Sequence, residues 1–208
     1  MPRLAGLGAL RGTVCAGGRY FIDIGIPDDL ARAQTELPAR LHRRALFLDR
    51  DGVINVDRGW VGRREAFEFV PGALEAIRAA GDAGFHVFVV TNQSGIARGF
   101  YDEAQFAALC GWVDLQVREA GGTIDDWRHC PFHPEAPLAA YRRVSDWRKP
   151  GPGMILDLLA KWEVDPGRSL LVGDQASDLA AAAAAGVAGY LFPGGNLLEF
   201  VGPLLEAG

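Results

Sequence analysis

Leu46-Phe47-Leu48-Asp49-Arg50-Asp51-Gly52-Val53-Ile54-Asn55 joins a short apolar run to two aspartates and a glycine. The apolar run is long enough for one buried strand. Side chains at positions i and i+2 of an extended chain point the same way, so Asp49 and Asp51 are predicted to face one spot at the carboxyl end of that strand. Gly52 lets the chain turn away there without a Cβ clash.

The spacing of this aspartate pair limits its chemistry. Two carboxylates held this close need a cation, a shared proton or strong hydrogen bonds. The pair suits Mg²⁺, a hard cation that binds carboxylate, carbonyl and water oxygens. It equally suits a nucleophile, Asp49, beside an aspartate that acts as acid and base, Asp51. An ordinary strand that ends in a polar turn shows the same short pattern, so the rest of the chain has to decide.

Length and composition predict one soluble domain in a reducing compartment, which we take to be the cytoplasm. The chain has 208 residues, enough for one full α/β domain and too few for two large ones. The formal net charge of -5 argues against a general nucleic-acid binder. The three cysteines are odd in number and widely spaced, which argues against a disulfide framework. No apolar run approaches the roughly 18 residues of a membrane span.

From Ala45 onward the chain alternates between predicted strands and helices. Several strands are continuous apolar runs, which fit a parallel sheet buried on both faces. The alternation predicts right-handed βαβ units in a doubly wound, Rossmann-like α/β sheet, where ligands bind at the carboxyl ends of the strands. The predicted strands are Ala45–Asp49, His86–Thr91, Ile124–Cys130, Ser169–Gly173 and Gly189–Phe192, and the predicted helices are Ala73–Ala80, Glu103–Glu119, Gly153–Trp162 and Leu179–Ala185.

Residues 1–43 differ from the rest of the chain, because they are rich in Gly and Arg and show no clear period. We expect them to form an N-terminal appendage, either packed or partly disordered. Within it, Tyr20–Gly25 is predicted as a short strand. Pro27–Gln34 is predicted as the start of a helix, since Pro and acids occupy its first turn. Pro38 and Leu41–Arg44 are predicted as a linker.

Polar residues cluster at the ends of the predicted strands. Thr91 and Asn92 offer a hydroxyl and an amide that, with loop N–H groups, can hold a phosphate. Lys149 precedes a predicted helix and can neutralise phosphoryl charge. Asp174 is suited to bind a metal. Asp178 is either a ligand, a partner behind the ligands, or an acid that the helix dipole favours.

These groups make up the parts of a phosphoryl-transfer site. Asp49 would attack phosphorus and form an aspartyl-phosphate, while Asp51 would protonate the leaving oxygen and then activate water. Mg²⁺, Lys149 and Thr91 would stabilise the phosphoryl oxygens. Each residue taken alone has a plain structural alternative, such as a polar loop or a surface charge.

The four motifs resemble those of the haloacid dehalogenase-like (HAD-like) phosphatases in order and spacing: Asp49-x-Asp51-Gly52-Val53, Thr91-Asn92, Lys149-Pro150 and Gly173-Asp174-x-x-x-Asp178. Over about Ala45 to Phe192 the chain further resembles the D-glycero-D-manno-heptose 1,7-bisphosphate 7-phosphatases of that family. The related histidinol-phosphatases share much of this pattern. The resemblance implies Mg²⁺, short loops in place of a large cap, and hydrolysis of the heptose 7-phosphate, with histidinol phosphate or another small metabolite as the alternative substrate. It assigns residues 44–208 to the phosphatase domain.

The resemblance also implies the residues that bind metal and substrate. The metal ligands would be Asp49, Asp51 through its backbone carbonyl, and Asp174, with Asp178 as a further ligand or a supporting partner. The substrate would be a small phosphorylated sugar, with no nucleic-acid or membrane partner, and the expected form is a monomer. The implied substrate-binding residues are Asp57, Arg58, Gly59, Trp60, Asn92, Gln93, Ser94 and Arg148.

The sequence departs from the family pattern in two places, the zinc loop and the residue after Asp174. Many members carry a structural zinc, and the positions that match its four ligands here hold Cys130, Phe132, Ser145 and Trp147. His133 is one residue out of step. Because a closed zinc site needs about four N or S ligands, we predict no structural zinc and a loop held by apolar packing. Gln175 stands where the heptose phosphatases often have a lysine, which removes a substrate-facing charge.

The segment Phe21–Gln34 resembles the closing segment of sugar-phosphate nucleotidyltransferases. In them the aspartate that matches Asp23 helps to bind metal. The body of that enzyme is not found in this sequence, so no activity is assigned to Asp23. The resemblance points to a neighbouring enzyme that nucleotidylates a sugar 1-phosphate, which fits a phosphatase that releases heptose 1-phosphate.

Overall fold

The computed structural model describes residues 22–41 and 43–207. The chain divides after Leu41 into two compact units. In the first, helix α1 spans Pro27–Leu41 and carries Asp28 and Asp29 in its first turn, which confirms the predicted helix start. The helix continues through Pro38, so the linker predicted there is wrong. A proline inside a helix removes one backbone hydrogen bond and its ring crowds the carbonyl four residues before it, so it more often kinks or ends a helix.

Residues 22–26 form a turn, so the predicted strand Tyr20–Gly25 is wrong over its described part. Asp23 makes this turn: its side chain accepts a hydrogen bond from the Gly25 N–H at 3.0 Å, and its carbonyl accepts one from the Ile26 N–H at 3.1 Å. Such side-chain bonds compete with strand pairing. Tyr20 and Phe21 lie outside the described residues.

The second unit is built around a parallel sheet of five strands in the order β3-β2-β1-β4-β5. Strand β1 lies at the centre, where Phe47 is in register with Phe88 of β2 and Leu171 of β4. All residues of β1 and β4 are buried, as strands covered on both faces require. The predicted α/β fold is confirmed. The strands are β1 (Ala45–Leu48), β2 (His86–Asn92), β3 (Asp126–Cys130), β4 (Leu170–Gly173) and β5 (Ala188–Leu191).

Helices cover both faces of the sheet. The helices are α2 (Ala73–Asp82), α3 (Ser94–Ala97), α4 (Glu103–Glu119), α5 (Gly153–Trp162), α6 (Ala176–Ala184) and α7 (Leu197–Ala207). Helices α2, α4 and α7 pack on one face, and α5 and α6 pack on the other. Strand β1 serves both cores, because Leu46 and Leu48 point to the first face while Ala45 and Phe47 point to the second. Among the described residues no helix is long and apolar enough to cross a bilayer.

Two helices were not predicted from the sequence. Helix α7 buries Leu197, Val201 and Leu205 at a spacing of four residues, which is the helical period, but Pro203 interrupts the pattern. Helix α3 is a single turn and too short to show a period. Helix α6 begins at Ala176, three residues before its predicted start, because Gln175 and Asp178 form a capping box.

The loops after β1 and β3 contain little regular secondary structure. Residues 49–72 contain the 3₁₀ turn Arg64–Ala66 and two isolated β-bridges, Asp51 with Asn55 and Asn55 with Phe69. Residues 131–152 contain the 3₁₀ turn Ala139–Tyr141. A further 3₁₀ turn, Pro166–Arg168, precedes β4. Among residues 43–207, loops rather than a separate cap domain follow the carboxyl ends of β1 and β3.

Candidate active site

The carboxyl ends of β1, β2 and β4 open into a cleft of about 430 Å³. This is the edge where open α/β sheets bind ligands. Residues from all four sequence motifs meet there, although they are far apart in the chain. The lining residues are Asp49, Asp51, Asp57, Gly59, Trp60, Asn92, Ser94, Arg148, Lys149, Asp174, Gln175, Ser177 and Asp178.

Lys149 joins the two buried aspartates at the floor of the cleft. Its Nζ lies 2.9 Å from Asp49 Oδ2 and 2.5 Å from Asp178 Oδ1, and it donates a hydrogen bond to the Val90 carbonyl at 2.9 Å. Burial acts to lower the pKa of Lys149, but Asp49 and Asp178 outweigh it and hold that pKa above its usual value. The lysine is therefore a fixed cation. Asp178 is more than an acid at a helix start, because it is fully buried against this cation.

The Asp49 carboxylate is held in one orientation. Lys149 contacts its Oδ2, and the Arg50 backbone N–H donates to its Oδ1 at 2.6 Å. Burial raises the pKa of Asp49 to about 6, with Lys149 opposing the shift and Asp178 adding to it. Burial is also the main cause that raises the pKa of Asp174. The site thus keeps carboxylates in surroundings that disfavour their charge.

Three carboxylates converge in a way that suits a cation. One oxygen each of Asp49, Asp174 and Asp178 lies within 4.8 Å of the others. Gly52 makes this convergence sterically possible: its φ is +82°, and a Cβ at this position would collide with the Asp174 carboxylate. The single positive charge of Lys149 offsets the negative charge of only one of the three carboxylates. The set fits a hard divalent cation with oxygen ligands.

Asp51 points to a different set of partners. Its Oδ1 accepts hydrogen bonds from Arg50 Nη2 at 2.7 Å and from Asn55 Nδ2 at 3.0 Å. Its Oδ2 accepts bonds from Arg50 Nη2 at 2.7 Å and from Gln93 Nε2 at 3.1 Å. Sequence reasoning missed Arg50 and Asn55. The only signal for Arg50 was its place between the two aspartates, and arginine is usually solvated.

Most of the predicted substrate-binding residues reach the cleft wall. Asn92 uses its side chain to hold the backbone of Lys149: Oδ1 accepts from the Lys149 N–H at 3.0 Å, and Nδ2 donates to the Lys149 carbonyl at 3.1 Å. Trp60 is 52% exposed at the mouth, with its ring 4.6 Å from that of Phe100. The others that line the cleft are Asp57, Gly59, Ser94 and Arg148.

Three predicted residues lie away from the cleft wall. Gln93 was expected to contact substrate, but it is buried and both ends of its amide are engaged, by Asp51 and by Tyr101. Thr91 is buried behind the cleft, where its hydroxyl accepts a hydrogen bond from Gln93 at 2.8 Å. Arg58 is exposed and forms an ion pair with Glu68 at the surface. The predicted roles of these three residues in binding the substrate and its phosphoryl group therefore stay predictions.

The loop after β3 is packed by apolar groups, as the sequence predicted. Phe132 and Trp147 lie against the core on the α5 and α6 face, where Cys130 is buried. The Arg143 guanidinium carbon sits 3.6 Å from the centre of the Phe132 ring, a cation–π contact. The absence of a structural zinc stays a prediction, which metal analysis of the purified protein would test. One zinc per chain would contradict it.

Comparison with known proteins places the chain in a family. A family model described as HAD-hydrolase-like matches residues 146–198. The chain is 50% identical over 163 residues to the D-glycero-β-D-manno-heptose-1,7-bisphosphate 7-phosphatase of Rhodopseudomonas palustris, a match that covers 78% of this chain and 91% of that relative. The chain belongs to the HAD-like phosphatases. It is a phosphoric monoester hydrolase, as the motif resemblance implied.

Other HAD-like phosphatases extend this comparison. The relative of the same name from Escherichia coli K12 is 46% identical over 143 residues, which cover 69% of this chain and 75% of that relative. The crystal structure of a D,D-heptose 1,7-bisphosphate phosphatase from B. bronchiseptica, complexed with magnesium and phosphate, superposes with a TM-score of 0.66 at 35% identity. That match covers 77% of this chain and 86% of the other.

Proposed function

We propose that this HAD-like phosphatase hydrolyses the 7-phosphate of D-glycero-β-D-manno-heptose 1,7-bisphosphate through an aspartyl-phosphate on Asp49. The observation that carries the proposal is the meeting of Asp49, Lys149 and Asp174 in one cleft, in a chain 50% identical to a relative named for this reaction. The proposed substrate is inferred from the names of the relatives, and the proposed reaction mechanism is inferred from the side chains of the cleft.

Magnesium would be held by the carboxylates of Asp49, Asp174 and Asp178, which approach one another within 4.8 Å, and by the Asp51 carbonyl. Their excess negative charge over the single ammonium group of Lys149 favours a divalent cation. When bound, the ion supplies electrostatic stabilisation of the phosphoryl oxygens. The B. bronchiseptica heptose phosphatase is complexed with magnesium.

Asp49 is the proposed nucleophile because its carboxylate is fixed by two donors, Lys149 and the Arg50 N–H. Fixing the attacking group removes orientational freedom that the reaction would otherwise lose. Attack on phosphorus forms the aspartyl-phosphate and breaks the bond to the sugar oxygen, which takes a proton from Asp51. Asp51 then removes a proton from the water that hydrolyses the intermediate.

The remaining groups of the cleft are proposed to bind the substrate. Lys149, which Asn92 holds through its backbone, neutralises the phosphoryl group undergoing transfer. Arg148 lines the same cleft and can bind an anionic group through its guanidinium fork. Trp60 offers an exposed ring face to the sugar at the mouth.

A substrate panel tests the proposal. Phosphate release is measured with Mg²⁺ on both anomers of heptose 1,7-bisphosphate, fructose 1,6-bisphosphate and histidinol phosphate. We expect a strong preference in kcat/KM for the β-anomer, with heptose 1-phosphate as the organic product. Equal turnover of all four compounds, or a preference for histidinol phosphate, would overturn the proposed substrate.

A further inference from the structure

Asp51 is joined to a buried chain of hydrogen bonds that leads away from the cleft. Gln93 Nε2 donates to Asp51 Oδ2 at 3.1 Å and to Thr91 Oγ1 at 2.8 Å. The Tyr101 hydroxyl donates to Gln93 Oε1 at 2.5 Å. Burial raises the pKa of Tyr101 to about 12, so its hydroxyl keeps its proton and acts as a donor. This donor fixes the Gln93 amide with its N–H₂ group toward Asp51.

Arg50 holds the same carboxylate from the other side. Its side chain is completely buried, and its Nη2 contacts both oxygens of Asp51 at 2.7 Å. The same nitrogen donates to the Val61 carbonyl at 2.6 Å. Val61 comes directly after Trp60, so one guanidinium binds both Asp51 and the loop that presents Trp60 to the cleft.

The loop also packs on Tyr101. A Cβ at Gly62 would collide with the Tyr101 ring, so Gly62 is what allows the loop to lie directly on that ring. The loop therefore reaches Asp51 by two routes, one through Arg50 and one through Tyr101 and Gln93. Buried polar groups are costly unless they are paired, and here most of the pairing converges on one carboxylate of the cleft.

We propose that Arg50, Gln93 and Tyr101 are positioning residues that hold the Asp51 carboxyl group in place for proton transfer. They do not touch the substrate. The inference rests on the proposed function, since it takes Asp51 as the acid of the first step. A carboxylate displaced by about an ångström loses much of its effect on a proton transfer.

A double-mutant cycle between Tyr101→Phe and Asp51→Asn tests the inference. The measured quantity is the single-turnover rate of phosphoenzyme formation from saturating heptose 1,7-bisphosphate. Tyr101→Phe should lower this rate about 10-fold in the wild-type background, because Gln93 loses its orienting donor. In the Asp51→Asn background the same change should alter the rate by less than about 2-fold, since the residue through which it acts is already disabled.

Tyr190→Phe is the matched control, because the Tyr190 ring is half-buried on β5 and packs against the core outside the cleft lining. It should leave both rates unchanged. Gln93→Met is a second variant that removes the amide at similar volume, and it should show the pattern of Tyr101→Phe. Thermal unfolding of each variant confirms that the protein is folded.

The outcomes separate the inference from the proposed function. If Tyr101→Phe and Gln93→Met lower the rate by the same factor in both backgrounds, or in neither, Asp51 is not positioned by them and the inference is overturned while the function stands. If Asp51→Asn alone forms phosphoenzyme at the wild-type rate, or if the wild-type protein does not turn over the bisphosphate, the proposed function fails and the inference fails with it.

Discussion

The second unit contains two clusters of acidic and basic side chains. The clusters hold similar residue types but differ in their balance of positive and negative charge. The cleft cluster consists of Asp49, Lys149, Asp174 and Asp178, and the edge cluster consists of Asp126, Arg128, Asp157 and Lys161, at the edge strand β3 and helix α5. In the edge cluster, Asp126 accepts hydrogen bonds from Lys161 at 2.7 Å, Arg128 at 2.8 Å and Trp162 at 3.0 Å. In the cleft cluster, one lysine faces three carboxylates.

The pKa values of Asp126 and Asp49 are shifted in opposite directions. Burial acts to raise the pKa of Asp126, but the hydrogen bonds from Lys161, Trp162 and Arg128 outweigh it and lower that pKa to about 2. Burial raises the pKa of Asp49 to about 6 against the opposition of Lys149. A fully compensated cluster stabilises the fold, whereas carboxylates in excess over cations mark a site for a charged ligand.

The largest expected effect is on catalysis by the cleft cluster. Asp49→Asn should lower phosphate release by on the order of 10⁴-fold or more, because the proposed nucleophile is lost. Asp126→Asn is the matched control, an identical change in the edge cluster, and it should keep activity within about 2-fold since it lies outside the cleft. Steady-state assays of both variants decide this. Near-wild-type turnover by Asp49→Asn would remove the covalent mechanism.

The second-largest expected effect is that of removing a proposed metal ligand. Asp174→Asn should raise the Mg²⁺ concentration needed for half-maximal activity by at least roughly 10-fold, since one charged oxygen donor is replaced by a neutral amide. Asp157→Asn, in the edge cluster, should leave that concentration unchanged. Activity measured over a magnesium titration gives both values. An unchanged magnesium requirement in Asp174→Asn would show that the three carboxylates do not hold the ion.

A substitution in the edge cluster should change the stability of the fold rather than the activity. Asp126→Asn should lower the free energy of unfolding by about 1–2 kcal/mol, because hydrogen bonds to a charged, partly buried carboxylate are weakened. Urea unfolding monitored by circular dichroism measures the loss. A variant as stable as the wild type would mean that the edge cluster is a surface network of little energetic weight.

The stabilising effect of Asp126 should depend on pH. Its pKa in the folded protein is lowered to about 2, so its contribution is present above the pKa of an unfolded aspartate, about 4, and declines as pH falls from there toward 2. The difference in unfolding free energy between the wild type and Asp126→Asn should therefore be constant near neutral pH and shrink below about pH 4. A difference that grows on acidification would have the wrong sign for a depressed pKa.

Much of the fold can be predicted from local sequence. The strands were predictable because Leu46–Leu48 and Leu170–Val172 are apolar on every residue, as strands buried on both faces must be. The cleft residues Asp49, Lys149 and Asp174 were predictable because parallel strands bring their carboxyl ends to one edge of the sheet. Helix α7 was missed, since Pro203 breaks a pattern that its buried residues otherwise satisfy.

The rest depends on contacts between distant segments. Arg50 is buried because the loop that contains Val61 closes over it, and nothing in the sequence around Arg50 indicates that loop. Gln93 lies in the motif region but turns inward, because Tyr101 captures its amide. The edge cluster likewise needs β3 to lie beside α5 before Arg128 can meet Asp157. Such pairings become visible only when the chain is folded.

Trapping of the phosphoenzyme is the decisive test of covalent catalysis by Asp49. The wild-type protein is mixed with β-heptose 1,7-bisphosphate radiolabelled at the 7-phosphate, quenched in acid within one turnover, digested and mapped by mass spectrometry. We expect one labelled peptide, with the phosphoryl group on Asp49 and none in Asp49→Asn. Phosphate release at the normal rate without any labelled intermediate, or label on another residue, would contradict the proposed mechanism.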